Sequence, residues 1–233
     1  MRFSLQKGLD QINNDLIEMG ILIEKGMERA IKAIKNHDRD RAKSVKKYTV
    51  QVSELEEAVR TTGMKLLTTQ QPVARDLRLV SVAFKLSGDM LRIADQTYNV
   101  AEITKQLVKE SVVPAPERLI EMSIKTIDMM KRSINSFVNL DIEEAREVLK
   151  SDDEIDNLFV IVRDDIINLI NEDKKNGADA IDYVMISKYM ERIADHSVNI
   201  AEQVIYYITG DYPILEEDGD DEEEMEDNEN NRA

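Results

Sequence analysis

Two runs of the chain, 100 residues apart, are nearly the same sequence. Residues 92–102 read Arg-Ile-Ala-Asp-Gln-Thr-Tyr-Asn-Val-Ala-Glu, residues 192–202 read Arg-Ile-Ala-Asp-His-Ser-Val-Asn-Ile-Ala-Glu, and seven of the eleven positions are identical. A weaker match relates residues 36–45 to residues 139–148 at a spacing of 103, with Asn, Asp, Ala and Val coinciding. Two matches at nearly the same spacing indicate a tandem duplication of a unit of about a hundred residues.

Each unit is predicted to be helical. Apolar residues recur at the three- and four-residue spacing of an amphipathic helix, and strand-like alternation is absent. Polar, Gly and Pro breaks divide the chain into six predicted helices, 5–36, 38–68, 73–109, 117–138, 141–174 and 179–208, of which three have an Asp N-cap at Asp38, Asp141 and Asp179. The sequence predicts an all-α protein of two tandem antiparallel three-helix bundles, with repeats at 1–111 and 112–210 and an acidic disordered tail at 211–233.

The composition excludes several classes of protein. With no Cys and two His, the chain can hold neither a disulfide framework nor a thiolate or three-histidine metal centre. It has 31 basic and 47 acidic residues, a net charge of −16, which argues against nucleic acid as a partner. No signal peptide and no apolar run of about 18 residues occur, so we expect a cytoplasmic protein without direct membrane insertion. No phosphate-binding Gly-rich loop or hydrolase motif occurs either, so we do not expect an enzyme.

Four oxygen-bearing side chains of the second repeat share one stripe of the sixth predicted helix: Glu191, Asp195, Asn199 and Glu202. They lie three or four residues apart, whereas the apolar residues of this helix fall on its opposite side. The stripe is therefore predicted to face away from the core of its own bundle. Hard oxygen ligands suit a divalent or trivalent metal ion, such as magnesium, manganese, calcium or oxidised iron. The alternative is an ordinary solvated helix face.

The first repeat is poorer in acidic residues. It retains Asp95, Asn99 and Glu102, but Leu91 stands at the position of Glu191. The fifth predicted helix can add further ligands to the second stripe only, from Asp152, Asp153, Glu154 and Asp156, because the equivalent stretch of the first repeat has no acidic residue. We therefore expect the second repeat to bind metal better. The two histidines, His37 and His196, are interpreted as surface or capping residues.

The chain resembles the PhoU family. The resemblance rests on the duplicated three-helix unit, on the Gln-Pro-x-Ala-x-Asp-Leu-Arg helix start at 71–78, and on Glu-Arg-Ile-Ala-Asp-His-x-x-Asn-Ile-Ala-Glu at 191–202. PhoU-like proteins consist of two three-helix bundles, and their Glu/Asp-x-x-x-Asp motifs can bind metal ions, including iron clusters. Glu191 and Asp195 match that motif, whereas Leu91 departs from it before Asp95.

The resemblance implies a regulatory function. Members of this family act as negative regulators of the phosphate-starvation response, through a sensor histidine kinase and the ATPase subunit of the phosphate ABC transporter. We therefore expect a non-enzymatic, metal-binding signalling adaptor that forms a homo-oligomer, such as a homodimer. Two alternatives stay open: a metal-dependent phosphoesterase that uses the carboxylates of Glu191 and Asp195, and a helical scaffold in which bound metal is incidental.

Overall fold

The structure, a computed structural model, describes residues 2–110 and 113–213, so the predicted tail lies outside it from residue 214 onward. The described residues contain no strand. They form eight α-helices and one 3₁₀ turn at Lys174–Asn176: α1 Arg2–Asn36, α2 Arg39–Lys43, α3 Lys46–Gln70, α4 Ala74–Glu110, α5 Glu117–Asn139, α6 Ile142–Lys150, α7 Asp152–Glu172 and α8 Gly177–Thr209. The predicted all-α class is confirmed.

The helices form two bundles. Helices α1, α3 and α4 pack together in the first, α5, α7 and α8 pack together in the second, and the short helices α2 and α6 occupy equivalent corners. Helices α4 and α8 pack against each other and join the bundles. They run antiparallel, as a hydrogen bond from Arg78 near the start of α4 to the carbonyl oxygen of Tyr207 near the end of α8 indicates. A continuous core of apolar side chains runs through both bundles. The predicted architecture of two tandem three-helix bundles is confirmed.

Two predicted helices, 38–68 and 141–174, are each interrupted near their start. The breaks fall at Ser44–Val45 and at Ser151. The Ser44 hydroxyl donates to the Arg41 carbonyl and accepts from Arg29, and the Ser151 hydroxyl accepts from Arg132 in the same way. A serine bond to its own preceding turn also occurs at Ser123 inside the unbroken α5, so the feature that distinguishes these two breaks is the arginine contact from another helix. The prediction of unbroken helices was wrong.

Two of the three predicted N-caps are confirmed. The Asp38 carboxylate accepts from the Arg41 amide at 2.9 Å, and the Asp141 carboxylate accepts from the amides of residues 143 and 144 at 3.1 Å. The third was wrong, because α8 already begins at Gly177 and Asp179 lies inside its first turn. The Lys174–Asn176 turn runs directly into α8, so the helix starts before the carboxylate.

The chain reverses direction after α8. Gly210 has φ +97°, which an L side chain adopts only with strain, and Tyr212 then stacks on Tyr206 with ring centroids 4.4 Å apart. Tyr212 thus packs on α8, although the predicted disordered tail begins at residue 211. None of the helices in 2–110 and 113–213 combines the length and the apolar character that crossing a membrane requires.

Candidate functional site

The first turn of α7 and the middle of α8 bring acidic side chains together in the second bundle. Asp152 lies partly buried there, and its Oδ1 is buried without a hydrogen-bond partner. Burial, followed by the charges of Asp156 and Asp195, raises the pKa of Asp152 to about 6. Burial also raises the pKa of Asp156, and the nearby carboxylates of Glu191 and Asp195 add to the effect. We call Asp152, Asp156, Glu191 and Asp195 the carboxylate cluster.

The cluster lies near two basic side chains of α8, Lys188 and Arg192. Lys188 pairs with Glu191, with Nζ 2.5 Å from Oε2, and its charge opposes the increase in the pKa of Asp195 that burial and Glu191 cause. Glu154, which was predicted as a possible ligand, instead pairs with Lys125 of α5 at 2.5 Å. The cluster therefore holds more negative charge than its neighbours neutralise, and a bound cation would relieve the repulsion.

The ligand atoms of the carboxylate cluster suit a hard cation, but their positions in the structure do not yet form a metal site. Its donors are all carboxylate oxygens, and one of them is the orphaned Oδ1 of Asp152. In residues 2–110 and 113–213, however, no three acidic or histidine side chains converge closely enough to share one metal ion. Side chains of the cluster would have to change rotamer to hold one.

The other two members of the predicted stripe have different partners. The Asn199 amide donates to Asp89 of α4 at 3.4 Å. Burial and the Asp89 charge raise the pKa of Glu202, while Lys85 opposes the increase. The stripe is thus divided: Glu191 and Asp195 belong to the carboxylate cluster, whereas Asn199 and Glu202 face α4 of the first bundle.

His196 takes part in the contact between the bundles. Its Nδ1 lies 2.9 Å from Oδ1 of Asp89, and both side chains are largely buried, with 23 % and 20 % of their surface exposed. The interpretation of His196 as a surface or capping residue was therefore wrong. The sequence contained one weak signal, the replacement of Gln96 by His196 between the repeats, but the partner lies 107 residues away. His37 does lie in a turn, with φ 49°.

The corresponding residues of the first bundle form no carboxylate cluster. Both oxygens of Glu102 accept from Lys105, at 2.8 and 2.9 Å, and this contact lowers the pKa of Glu102. Asn99 lies half-buried on the same helix. Asp95 has Arg92 at 3.9 Å, and Thr49, the counterpart of Asp152, donates its hydroxyl to a backbone carbonyl of α4. This arrangement agrees with the expected asymmetry between the repeats, and metal binding itself stays a prediction.

A groove of about 340 Å³ lies elsewhere, between α1 and α5. Its apolar lining includes Ile17, Ile21 and Ile134, and Lys131 at its edge pairs with Glu24 at 2.8 Å. No member of the carboxylate cluster lines it. The groove is a surface feature between the bundles and lies apart from the candidate site.

Comparison with known proteins gives a consistent result. The family model described as the PhoU domain matches the chain twice, over residues 16–104 and 119–204. The two matched stretches fall one in each predicted repeat. They contain Asp95 of the first repeat and Glu191 and Asp195 of the second.

Similar proteins carry the same description. A phosphate-specific transport system accessory protein PhoU homolog from Clostridium acetobutylicum is 28% identical over 206 residues, which cover 88% of this chain and 94% of that protein. The phosphate-specific transport system accessory protein PhoU of Escherichia coli is 27% identical over 202 residues, which cover 87% of this chain and 84% of that protein. The crystal structure of PhoU from Pseudomonas aeruginosa superposes with a TM-score of 0.85 at 26% identity, covering 88% of this chain and 99% of that one.

Proposed function

Because the chain belongs to the PhoU family, we propose that it is an accessory protein of a phosphate-specific transport system that regulates phosphate uptake and homeostasis. The observation that carries this proposal is the match of both repeats to the PhoU domain, together with relatives that bear this description along almost their whole length. The regulation is negative: at high phosphate the protein restrains the phosphate-starvation response.

The proposed partners are a sensor histidine kinase and the ATPase subunit of the phosphate ABC transporter, both on the cytoplasmic side of the membrane. Long helices suit this role because they offer extended docking faces. Exposed apolar side chains occur on such faces, for example Ile167 on α7 and Ile181 on α8, with 49% and 65% of their surface exposed. Apolar groups exposed on neighbouring helices favour contact with another protein.

We further propose that the carboxylate cluster binds a divalent or trivalent metal ion. The raised pKa of Asp152 and its orphaned Oδ1 support this step, because a cation would both lower the repulsion and supply the missing partner. A metal bound there would act by fixing α7 against α8, since Asp152 belongs to one helix and Asp195 to the other. The cluster would then stabilise one arrangement of the second bundle.

The test is a phosphate-starvation reporter in the source organism, grown at high phosphate with the gene deleted and then restored in three forms. We expect the deletion to derepress the reporter and the wild-type gene to reverse this. Asp195→Ala should restore repression only in part. Asp95→Ala is the matched control, because its repeat lacks the carboxylate cluster, and it should restore repression fully. An unchanged reporter in the deletion strain would refute the phosphate function.

Metal binding has its own test. Protein purified without chelator is analysed for bound metal, then stripped and titrated with Mn²⁺ by calorimetry. We expect Asp195→Ala to weaken Mn²⁺ binding at least tenfold and Asp95→Ala to leave it unchanged. Equal binding by the two variants would exclude the carboxylate cluster as the metal site. Regulation that survives both Glu191→Ala and Asp195→Ala would support the scaffold alternative, in which the metal is incidental.

The phosphoesterase alternative is tested directly. Wild-type protein is incubated with Mn²⁺ and p-nitrophenyl phosphate, and we expect no turnover above the metal-only control. Turnover that disappears in Glu191→Ala would instead favour hydrolysis by the surface carboxylates.

A further inference from the structure

One end of the first bundle concentrates positive charge. The segment 25–47 covers the last turns of α1, all of α2 and the start of α3, and it contains three acidic and nine basic residues. Its net charge of +6 contrasts with −16 for the whole chain. We call this segment the cationic end; its basic residues are Lys25, Arg29, Lys32, Lys35, Arg39, Arg41, Lys43, Lys46 and Lys47. All of them are exposed except Arg29 and Arg41, which are partly buried.

The fold does not require this charge. The equivalent segment of the second repeat, 128–150, forms the same corner with four basic and five acidic residues, a net charge of −1. Asp128 stands at the position of Lys25, and Glu144 at the position of Arg41. Two of the basic residues have counterparts in the same structural role. Arg132 contacts the serine at the helix break as Arg29 does, and Arg146 pairs with Glu143 as Lys43 pairs with Asp40. The remaining positive charge therefore serves something other than folding.

The cationic end contains too few carboxylates to neutralise its positive charge. Its three acidic residues are already paired, Glu28 with Lys32, Asp38 with Arg41 and Asp40 with Lys43, at 3.0, 3.2 and 2.8 Å. In the part of the chain that the structure describes, no carboxylate lies within ion-pair distance of the others, which include Lys25, Lys35, Arg39, Lys46 and Lys47.

The chain itself contains a matching polyanion. Residues 214–233 hold eleven acidic residues and one basic residue, a net charge of −10. The residues that precede this segment, 210–213, run back along α4. Helix α8 ends against Arg78, but after the reversal at Gly210 the Tyr212 hydroxyl accepts from Lys85 at 2.8 Å, seven residues further along α4. The chain at Pro213 thus lies beside α4, past the reversal and on the way to the cationic end.

The segment 214–233 is long enough to reach the cationic end from Pro213. Lys46 of the cationic end lies close enough to Glu102 of α4 to lower its pKa, together with the nearer Lys105. From Lys85 to Glu102 is about 26 Å along the helix at 1.5 Å per residue. A twenty-residue chain has a root-mean-square span of about 25 Å and reaches at most about 70 Å. Acidic groups on α4, such as Asp95, would repel the segment on the way, so the cationic end is the complementary surface within reach.

We propose that the cationic end is the docking site of the chain's own acidic segment 214–233. The contact is electrostatic and intramolecular, and it covers a face of the first bundle that would otherwise be open to anionic partners. Because it consists of exposed charge pairs, it weakens with salt and is displaced by a stronger polyanion.

Energy transfer in the full chain tests the proposal. The sequence has no cysteine, so Asn36→Cys and Ala233→Cys place one dye at the cationic end and one at the far end of the segment 214–233. We expect high transfer efficiency in 50 mM NaCl. The efficiency should fall about twofold or more in 500 mM NaCl, because the attraction between charges then acts over a range several times shorter. Lys35→Glu with Lys46→Glu should lower the efficiency to the high-salt value already in 50 mM NaCl.

The control carries the same change of charge elsewhere. Lys7→Glu with Lys65→Glu alters two exposed lysines at the opposite end of the first bundle, where Gly8 packs on Leu66, and should leave the transfer unchanged. Transfer that is independent of salt and of the Lys35/Lys46 change would overturn the proposal. Transfer between separately labelled copies would also overturn it, since the segment would then bind a second molecule.

Discussion

Replacing Asp152 by Asn should stabilise the protein, although it removes a charge near a helix N-terminus. In the folded protein, burial and the neighbouring carboxylates raise the pKa of Asp152 from 3.8 to about 6. Between these pH values the folded state holds a proton that the unfolded state has released. The contribution of Asp152 to stability therefore falls as pH rises from about 4 to about 6, and this loss is complete at pH 7.

The magnitude follows from the size of the shift. A change from 3.8 to about 6 corresponds to about 3 kcal/mol of penalty on the charged form. Water at the partly exposed cluster screens part of it, and the loss of a favourable interaction with the helix dipole removes about 0.5 kcal/mol more, which leaves about 1–2 kcal/mol. For a chain of this length that is an increase in melting temperature of about 2–8 °C.

The assay is thermal unfolding followed by circular dichroism in EDTA at pH 4 and at pH 7. Asp152→Asn should melt above the wild type at pH 7 and close to it at pH 4. Glu154→Gln is the control, because this exposed neighbour in the same helix turn pairs with Lys125 and is not among the charges that raise the pKa of Asp152; it should lower the melting temperature slightly at pH 7. The reasoning is refuted if Asp152→Asn melts at or below the wild type at pH 7, or if its gain is the same at both pH values.

Two further predictions concern packing between helices. Gly63→Ala should lower the free energy of unfolding by about 1–3 kcal/mol, because the added Cβ meets the ring of Phe84. Gly88→Ala, whose added Cβ has nothing within 4 Å, should raise that free energy by about 0.5–1 kcal/mol. Urea titrations that changed the free energy of unfolding of both variants in the same direction would contradict this reasoning. Asp89→Ala should cost about 1–2 kcal/mol, because His196 loses its partner across the bundles, and an unchanged urea midpoint would show that this contact contributes nothing to stability.

Much of the fold could be predicted from local pattern. Helical periodicity and the two internal matches predicted six helical segments and two bundles, because both signals depend only on residues close in sequence or on copies of them. The same reasoning missed the breaks at Ser44 and Ser151, since each depends on an arginine of another helix that contacts the serine hydroxyl.

The candidate site was predicted less completely. Spacing on one helix placed Glu191 and Asp195 together correctly, and it identified Asp152 and Asp156 as possible neighbours. It could not show that Asn199 would face Asp89 instead, because that contact depends on how the two bundles pack.

The sequence by itself determined the helical class, the duplication and the unequal distribution of charge, since periodicity, repetition and charge are properties of the chain. Only the tertiary structure decided which polar groups meet. The antiparallel packing of α4 on α8 brings His196 to Asp89 across 107 residues. The packing of α7 on α8 crowds four carboxylates together, of which Asp152 and Glu191 are partly buried and Asp156 and Asp195 are exposed. A carboxylate's pKa and partners depend on distances and burial in three dimensions, which spacing along one helix does not specify.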